Sequence, residues 1–418
     1  MFFSWGKPFA VCLLFLTAII EWLLGLWIDK INAKDRKGFL PLIIDIAMNT
    51  AVLLIMTKKF LCIGEDAFGF GEIIIPISVS FYVIRGFVYV YDIFKGNIKA
   101  EKNVFCLLTY MCTYFFLPTG PVTRYGKIES QIRKRNFTLN KISNGLTAFV
   151  CGLSKAVIIA PALKAVGEAG LNSENLTAIG CWAGMSAMLG FLYFLFTGFC
   201  DISLGLGRIY GFEFERNYKG LSAKGLYCGI LKNINHSLTD FFEEVANGHK
   251  LFAPVFALIA VFLFGCSNNF NMAAIIAVGL TAGIIIFFEK TLFKGFFEKA
   301  PTVLRLIVTY LLTMIVSGGL MFNSLGEYKN WLMGLIGIGT KGIMGGDMKT
   351  ALLNNIFVII AALLLLCTPF VNKIKTKTTE YSMKSIEKYG RISIIKTILT
   401  ALLLTLCIIT IVSANVRL

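Results

Sequence analysis

The feature that most constrains this chain is a series of ten apolar runs, separated by more polar connections of different lengths. A helix needs about 17–25 mostly apolar residues to cross the hydrocarbon core of a bilayer. The runs lie near residues 8–28, 38–57, 72–94, 142–166, 176–199, 251–266, 272–290, 302–322, 351–371 and 394–413. They predict an all-α polytopic membrane protein, in which the first run spans the bilayer and is not removed as a signal peptide.

The composition agrees with a membrane body. Hydrophobic residues make up 56% of the 418 residues, mean hydropathy is +0.74, and charged residues are only 15%, against about 25% in soluble domains. No long polar segment separates the apolar runs, so we expect one membrane-embedded domain over 1–418. Within it, 72–250 holds the motifs discussed below, and 251–418 supplies C-terminal helices.

The net charge of +16 has two explanations. Lys and Arg retain loops on the cytoplasmic side, and they also attract anionic lipid headgroups. The basic segments 30–37, 95–102, 124–141 and 372–391 are therefore predicted to be cytoplasmic, which places the N-terminus outside. The run 103–118 lies between two basic segments and is predicted to dip into the membrane and return. Nucleic acid is excluded as a partner, because the basic residues alternate with apolar spans.

Few residues suggest a familiar catalytic or metal site. The eleven cysteines form no CxxC pair, so we expect neither a disulfide framework nor a metal site. Of the two histidines, His236 is the candidate general base, although a single histidine in a polar segment is often only a surface residue. The stretch 200–250 mixes charged and apolar residues, and it is predicted to form amphipathic or re-entrant helices that line a cavity or lie at the interface.

Six segments carry a resemblance to a known family. They are 75–82 (IPISVSFY), 92–102 (DIFKGNIKAEK), 119–125 (TGPVTRY), 198–208 (GFCDISLGLGR), 211–218 (GFEFERNY) and 322–335 (FNSLGEYKNWLMGL). Their order and spacing resemble the membrane-bound O-acyltransferases, in the branch of bacterial alginate O-acetylation and teichoic-acid D-alanylation proteins. The resemblance implies a ring of about ten to eleven tilted transmembrane helices, with re-entrant and amphipathic segments, around a central funnel and tunnel.

The resemblance also implies two catalytic histidines, and this chain departs at both positions. Counting without gaps, they fall on Asn235 and Asn268, and His236 is one residue further along. On a helix, one residue is a rotation of about 100°, so His236 is expected to face elsewhere unless a local bulge restores its direction. Asparagine exchanges hydrogen bonds but takes no proton near neutral pH, so loss of the base should cost about 10²–10⁴ in rate.

Other polar residues are candidates for a substrate or tunnel site. Asp201 lines the tunnel or makes a helix-packing hydrogen bond. Asn217 is a cap or loop residue, or a substrate contact, and Ser237 follows His236 in the same segment. Arg124 contacts headgroups or a carrier phosphate, or anchors a cytoplasmic loop. The carboxylates of Glu243 and Glu244 serve as acid or base, or are surface residues.

Two functions follow from these observations. The first is transfer of an acetyl or similar small acyl group across the membrane to an extracellular polysaccharide or cell-wall polymer. This function requires an acyl-CoA or acyl-carrier-protein thioester as donor, and no bound cofactor is expected. The expected partners are the lipid bilayer and an extracellular acyltransferase. The alternative is an inactive member that serves as an acyl or lipid conduit, or as a scaffold. An unrelated transporter is disfavoured, because no inverted repeat is visible. The expected location is the bacterial cytoplasmic membrane.

Overall fold

The computed structural model describes residues 8–34, 36–56, 79–113, 115, 123–172, 176–213, 215–218, 233, 235–246, 272–291, 300–322, 324–366 and 386–415, and these contain helices and no strand. The helices are α1 (Pro8–Asn32), α2 (Phe39–Met56), α3 (Val79–Lys95), α4 (Val104–Cys112), α5 (Tyr125–Arg133), α6 (Leu139–Ser154), α7 (Ala160–Gly170), α8 (Ala178–Ile209), α9 (His236–Ala246), α10 (Met272–Thr291), α11 (Thr302–Met321), α12 (Leu325–Leu335), α13 (Gly346–Asn354), α14 (Ile356–Leu366) and α15 (Ile386–Asn415). A π-helical turn, Lys155–Ile159, joins α6 to α7.

The first part of the chain packs around an aromatic core. Helices α1, α2 and α3 contact one another, and the rings of Tyr89, Tyr110 and Tyr125 meet edge to face or tilted, with centroids 5.3–6.5 Å apart. All three side chains are at most 1% exposed. This core fixes α4 and α5 against α3.

The second part is built on two long antiparallel helices that approach very closely. Thr138 and Thr177 cap α6 and α8 by accepting hydrogen bonds from backbone N–H groups of the first turn. A Cβ placed at Gly152 would lie 2.5 Å from the carbonyl oxygen of Gly198, and one at Gly145 would lie 2.8 Å from that of Gly205. Small residues at these crossings let the two backbones touch, as in other membrane helix pairs.

The described helices include three that are long and apolar enough to cross a membrane: Leu139–Gly170, Ala178–Ile209 and Gly390–Ser413. They agree with the predicted runs 142–166, 176–199 and 394–413. The predicted run 351–371 is described as far as Leu366, where it falls on α13 and α14, which meet at 70°; taken together these two helices would make a fourth span. The run 251–266 lies outside the described residues. The ring and its ten to eleven helices stay a prediction.

The polar stretch predicted over 200–250 also needs correction at its start. Helix α8 continues through Cys200 to Ile209, so Asp201 and Arg208 belong to the same helix as the apolar run before them. The helix continues because Asp201 is buried against partners described below, rather than exposed to lipid.

Candidate functional site

A buried asparagine organises the connection between α8 and α9. Asn217 is 1% exposed, and its side-chain Oδ1 accepts hydrogen bonds from the backbone N–H and the hydroxyl of Ser237, at 3.1 and 2.6 Å. Its Nδ2 donates to Asn235 Oδ1 at 3.0 Å. Its carbonyl accepts from the backbone N–H of His236 at 3.1 Å. The Asn217 side chain therefore fixes the beginning of α9.

Asn235 lies just before α9 and caps it. Its Oδ1 accepts from the backbone N–H of Leu238 at 3.2 Å, in addition to the bond from Asn217. Because the capping residue stands outside the regular helix, the one-residue rotation of about 100° expected from a helix does not describe how Asn235 and His236 differ in direction. The Oδ1 of Asn235 is used for capping, and its Nδ2 has no hydrogen-bond partner in the described part of the chain.

His236 is the first residue of α9, and its ring is held in one orientation. The ring Nε2 lies 2.8 Å from the carbonyl oxygen of Arg216. A carbonyl only accepts hydrogen bonds, so Nε2 carries the proton, and Nδ1 of the neutral ring keeps its lone pair. This Nδ1 is buried, has no hydrogen-bond partner among the described residues, and lies 3.8 Å from Asp240 Oδ2 one turn later.

A second cluster surrounds Asp201 on α8, which is 2% exposed. Its Oδ2 accepts from Lys155 Nζ and from the hydroxyl of Tyr218, both at 2.6 Å. Its Oδ1 is 3.4 Å from Nε of Arg216. Burial, and then the neighbouring Asp201 carboxylate, raise the pKa of Tyr218 well above its usual value, so this hydroxyl stays protonated and donates. These contacts are helix-packing bonds between α8 and its neighbours, and a role of Asp201 in lining a tunnel stays a prediction.

Lys155 was not identified from the sequence. It is the first residue of the π-helical turn, and such turns often occur at functional sites. The available signal was its place inside the apolar run 142–166, which also contains Lys164, because a lysine at membrane depth is costly unless it is paired.

Three consecutive residues join the two clusters. The Arg216 carbonyl accepts a hydrogen bond from the His236 ring, and the Arg216 guanidinium pairs with Asp201. The Asn217 side chain is hydrogen-bonded to Ser237 and Asn235. The Tyr218 hydroxyl donates to Asp201. The segment 216–218 therefore connects the possible base to the buried ion pair between Lys155 of the π-helical turn and Asp201 of α8. The structure brings together Asp201, Asn217, Asn235, His236 and Ser237.

Arg124 lies apart from that group, at the N-terminus of α5. Its guanidinium pairs with Asp92 of α3 at 3.0 Å and with Glu244 of α9, and Asn97 also donates to Glu244. Arg124 and Glu244 thus join three helices. Glu243 is exposed on α9, and Asn268 lies outside the described residues.

Comparison with known proteins agrees with the resemblance. The chain is 24% identical over 341 residues to the probable alginate O-acetylase AlgI of Pseudomonas syringae, covering 78% of the chain and 65% of that protein. It is 27% identical over 219 residues to the protein of that name from Pseudomonas fluorescens, covering 52% and 43%. It is 22% identical over 289 residues to the peptidoglycan O-acetyltransferase of Helicobacter pylori, covering 60% and 55%.

These similarities confirm the predicted resemblance to membrane O-acetylases. No family model matches the chain. The chain spans less than two thirds of the length of the two Pseudomonas relatives.

Proposed function

We propose that this protein is a membrane O-acyltransferase that moves an acetyl or similar small acyl group to a hydroxyl of an extracellular polysaccharide or cell-wall polymer. The observation that carries the proposal is the similarity to alginate O-acetylases, over 78% of the chain in one case. The joined clusters at 216–218 supply polar groups in a mostly apolar body, where such groups commonly mark a substrate path. The acyl donor is a thioester, on coenzyme A or on an acyl carrier protein.

The proposed chemistry requires a proton acceptor. When the acyl group leaves the thioester sulfur for the acceptor oxygen, the hydroxyl loses its proton and the leaving thiolate gains one. His236 is the residue best arranged for this, since its Nε2–H is fixed by Arg216 and its Nδ1 is left to take the proton. Asp240, 3.8 Å away, would stabilise the resulting imidazolium. The Nδ2 of Asn235 is a suitable donor to a developing oxyanion.

A second function has its own support. Asn235, the position that corresponds to a family histidine, is used to cap α9 and holds no titrating proton. This favours an inactive member that acts as an acyl or lipid conduit, or as a scaffold for an extracellular acyltransferase partner. In either case the proposed location is the bacterial cytoplasmic membrane, with several spans and the N-terminus outside.

The two functions are separated by measuring transfer from a labelled acetyl thioester, with the full chain in lipid and an oligosaccharide acceptor. If His236 is the base, His236→Gln should lower the rate about 10²–10⁴-fold. Asn136→Ala, at an exposed residue that makes none of the hydrogen bonds of the site, is the matched control. Turnover unaffected by His236→Gln would exclude His236 as the base. An inert wild type that gains activity on Asn235→His would favour the inactive member.

A further inference from the structure

A cavity of about 450 Å³ lies where the beginning of α6 meets the end of α8. This volume is within the range of about 300–1,000 Å³ that is usual for small-molecule pockets. The cavity is separate from the candidate site, since its described lining includes neither Asp201 nor any residue of 216–218 or 235–237. The residues that line it are mostly charged: Lys141, Asn144, Arg208, Glu213 and Glu215.

Contacts from four helices hold the wall of the cavity in place. The side chain of Gln131, on α5, accepts from the backbone N–H of Glu213 at 2.7 Å and donates to its carbonyl at 3.0 Å. The Glu213 carboxylate pairs with Lys141 of α6 at 3.1 Å. Lys396 of α15 donates to Asn144 Oδ1 at 2.8 Å. Three of the five lining side chains are therefore already engaged within the protein.

The other two charged side chains, Arg208 and Glu215, are left without partners. The half-buried guanidinium of Arg208 and the exposed carboxylate of Glu215 form no hydrogen bond or ion pair with any residue that the structure describes. They do not pair with one another either, although they line the same cavity. A half-buried charge is unfavourable unless it is compensated, and the donor fork of a guanidinium matches a phosphate group. The cavity therefore offers a ligand a cation and an anion at separate places.

The position of the cavity along the helices favours a lipid as the ligand. Arg208 lies in the last turn of α8 and Lys141 in the first turn of α6, and both helices belong to segments long and apolar enough to cross a bilayer. Leu139 and Ile142 are exposed in the same turn of α6 as Lys141, which indicates contact with hydrocarbon at that level. Tyr210, exposed just after α8, is of a type enriched at the boundary between membrane and water. Lipid headgroups are therefore expected at the level of the cavity.

We propose that the cavity binds the headgroup of a zwitterionic aminophospholipid, with phosphatidylethanolamine as the expected lipid. The Arg208 guanidinium donates to the lipid phosphate, and the Glu215 carboxylate accepts from the ammonium group. Phosphatidylglycerol has no cation for Glu215, and the quaternary ammonium of phosphatidylcholine has no N–H to donate. The bound lipid joins α6 to α8 at the membrane boundary, and its binding does not depend on acyl transfer by this protein.

The test is native mass spectrometry of the full chain in detergent, delipidated and then titrated with phosphatidylethanolamine, phosphatidylglycerol or phosphatidylcholine of identical acyl chains. We expect the wild type to bind phosphatidylethanolamine most tightly. Arg208→Gln should weaken this binding about tenfold or more, because it removes a charge-assisted hydrogen bond. Arg36→Gln is the matched control, since Arg36 is an exposed arginine outside the cavity, and it should bind like the wild type.

Glu215→Gln separates the two contacts, and it keeps the test decisive if Arg208→Gln does not fold, because Glu215 is exposed. This variant should bind phosphatidylglycerol as the wild type does and lose the preference for phosphatidylethanolamine, whereas Arg208→Gln should bind both lipids more weakly. A preference that survives in Glu215→Gln, equal binding by Arg208→Gln and Arg36→Gln, or a wild-type preference for phosphatidylglycerol would each overturn the proposal.

A soluble probe distinguishes a lipid from a free phosphoester. Glycerophosphoethanolamine carries the same headgroup without acyl chains, so it lacks the apolar contacts of the lipid with the membrane-facing helices. We expect it to bind far more weakly than phosphatidylethanolamine under the same conditions. Equal binding of the two would assign the cavity to a soluble phosphoester and overturn the assignment to a lipid.

Discussion

Asn217 and Ser237 are 20 residues apart in the chain, and the Ser237 hydroxyl donates to the Asn217 side chain at 2.6 Å. The same Asn217 oxygen accepts the backbone N–H of Ser237, and the Asn217 amide donates to Asn235. One buried side chain thus joins the end of the α8 connection to the first turn of α9. The orientation of His236, whose backbone N–H donates to the Asn217 carbonyl, depends on this contact.

Asn217→Ala should therefore destabilise the protein and disturb the site. The substitution removes three side-chain hydrogen bonds and leaves the Ser237 N–H without its acceptor, and an unsatisfied buried group costs about 1–3 kcal/mol. Thermal or denaturant unfolding in detergent measures the loss. Asn136→Ala, at an exposed asparagine, should change stability by less than about 0.5 kcal/mol. Equal effects of the two variants would show that the Asn217 contacts contribute nothing.

Removing Asp201 should cost more than removing its hydrogen-bond donor. Asp201→Asn leaves Lys155 buried without its counter-charge, and breaking such a pair costs about 3–5 kcal/mol. Tyr218→Phe deletes one hydroxyl and keeps the ion pair, so we expect a loss of about 1–2 kcal/mol. Unfolding of both variants under the same conditions tests this order. A larger loss in Tyr218→Phe than in Asp201→Asn would contradict the assignment of Asp201 as the partner of Lys155.

The close approach of α6 and α8 predicts a difference between two glycines. In Gly152→Ala the new methyl group would meet backbone atoms of Gly198 and Ile202 at 2.5 Å, and overpacking costs about 1–3 kcal/mol. In Gly190→Ala, on α8, the new methyl group meets only the flexible end of the Leu163 side chain, at 3.0 Å. The better helix propensity of alanine stabilises the folded state there by about 0.5–1 kcal/mol. Melting temperatures should fall only in Gly152→Ala. Similar temperatures would mean that the backbones are further apart.

The apolar runs were sufficient to predict most of the helices, because length and hydropathy decide which segments cross a bilayer. They did not predict the bend at Asn355 between α13 and α14. Neither a proline nor a glycine marks this position in the sequence. Neither did they show that α8 continues through Asp201, because the partners that satisfy this carboxylate, Lys155 and Tyr218, are distant in sequence.

The candidate site was predictable only in part. The motifs selected Asp201, Asn217, Asn235 and His236, and the folded segment 216–218 connects them. The contacts that give these residues their roles are between groups some 17 to 20 positions apart, and no local periodicity indicates them. Lys155 is marked in the sequence only by its place in an apolar run, and its pairing with Asp201, 46 positions away, becomes visible only in three dimensions.

The loop before α4 predicts a dependence of stability on acid pH. Burial raises the pKa of Glu101, but hydrogen bonds from Tyr125 and the Asn103 N–H, together with the Arg133 charge, outweigh it, and the net pKa is lowered. Because the pKa of Glu101 is lower in the folded than in the unfolded protein, its carboxylate stabilises the fold at any pH above the unfolded-state pKa of about 4.3. This stabilisation is lost as the pH falls through the folded-state pKa. The stability difference between wild type and Glu101→Gln should thus be constant above about pH 5 and shrink below about pH 4. Unfolding across this range measures it, with Glu129→Gln, whose carboxylate also pairs with Arg133, as the matched control. A difference that grew on acidification would reverse the sign of the assigned shift.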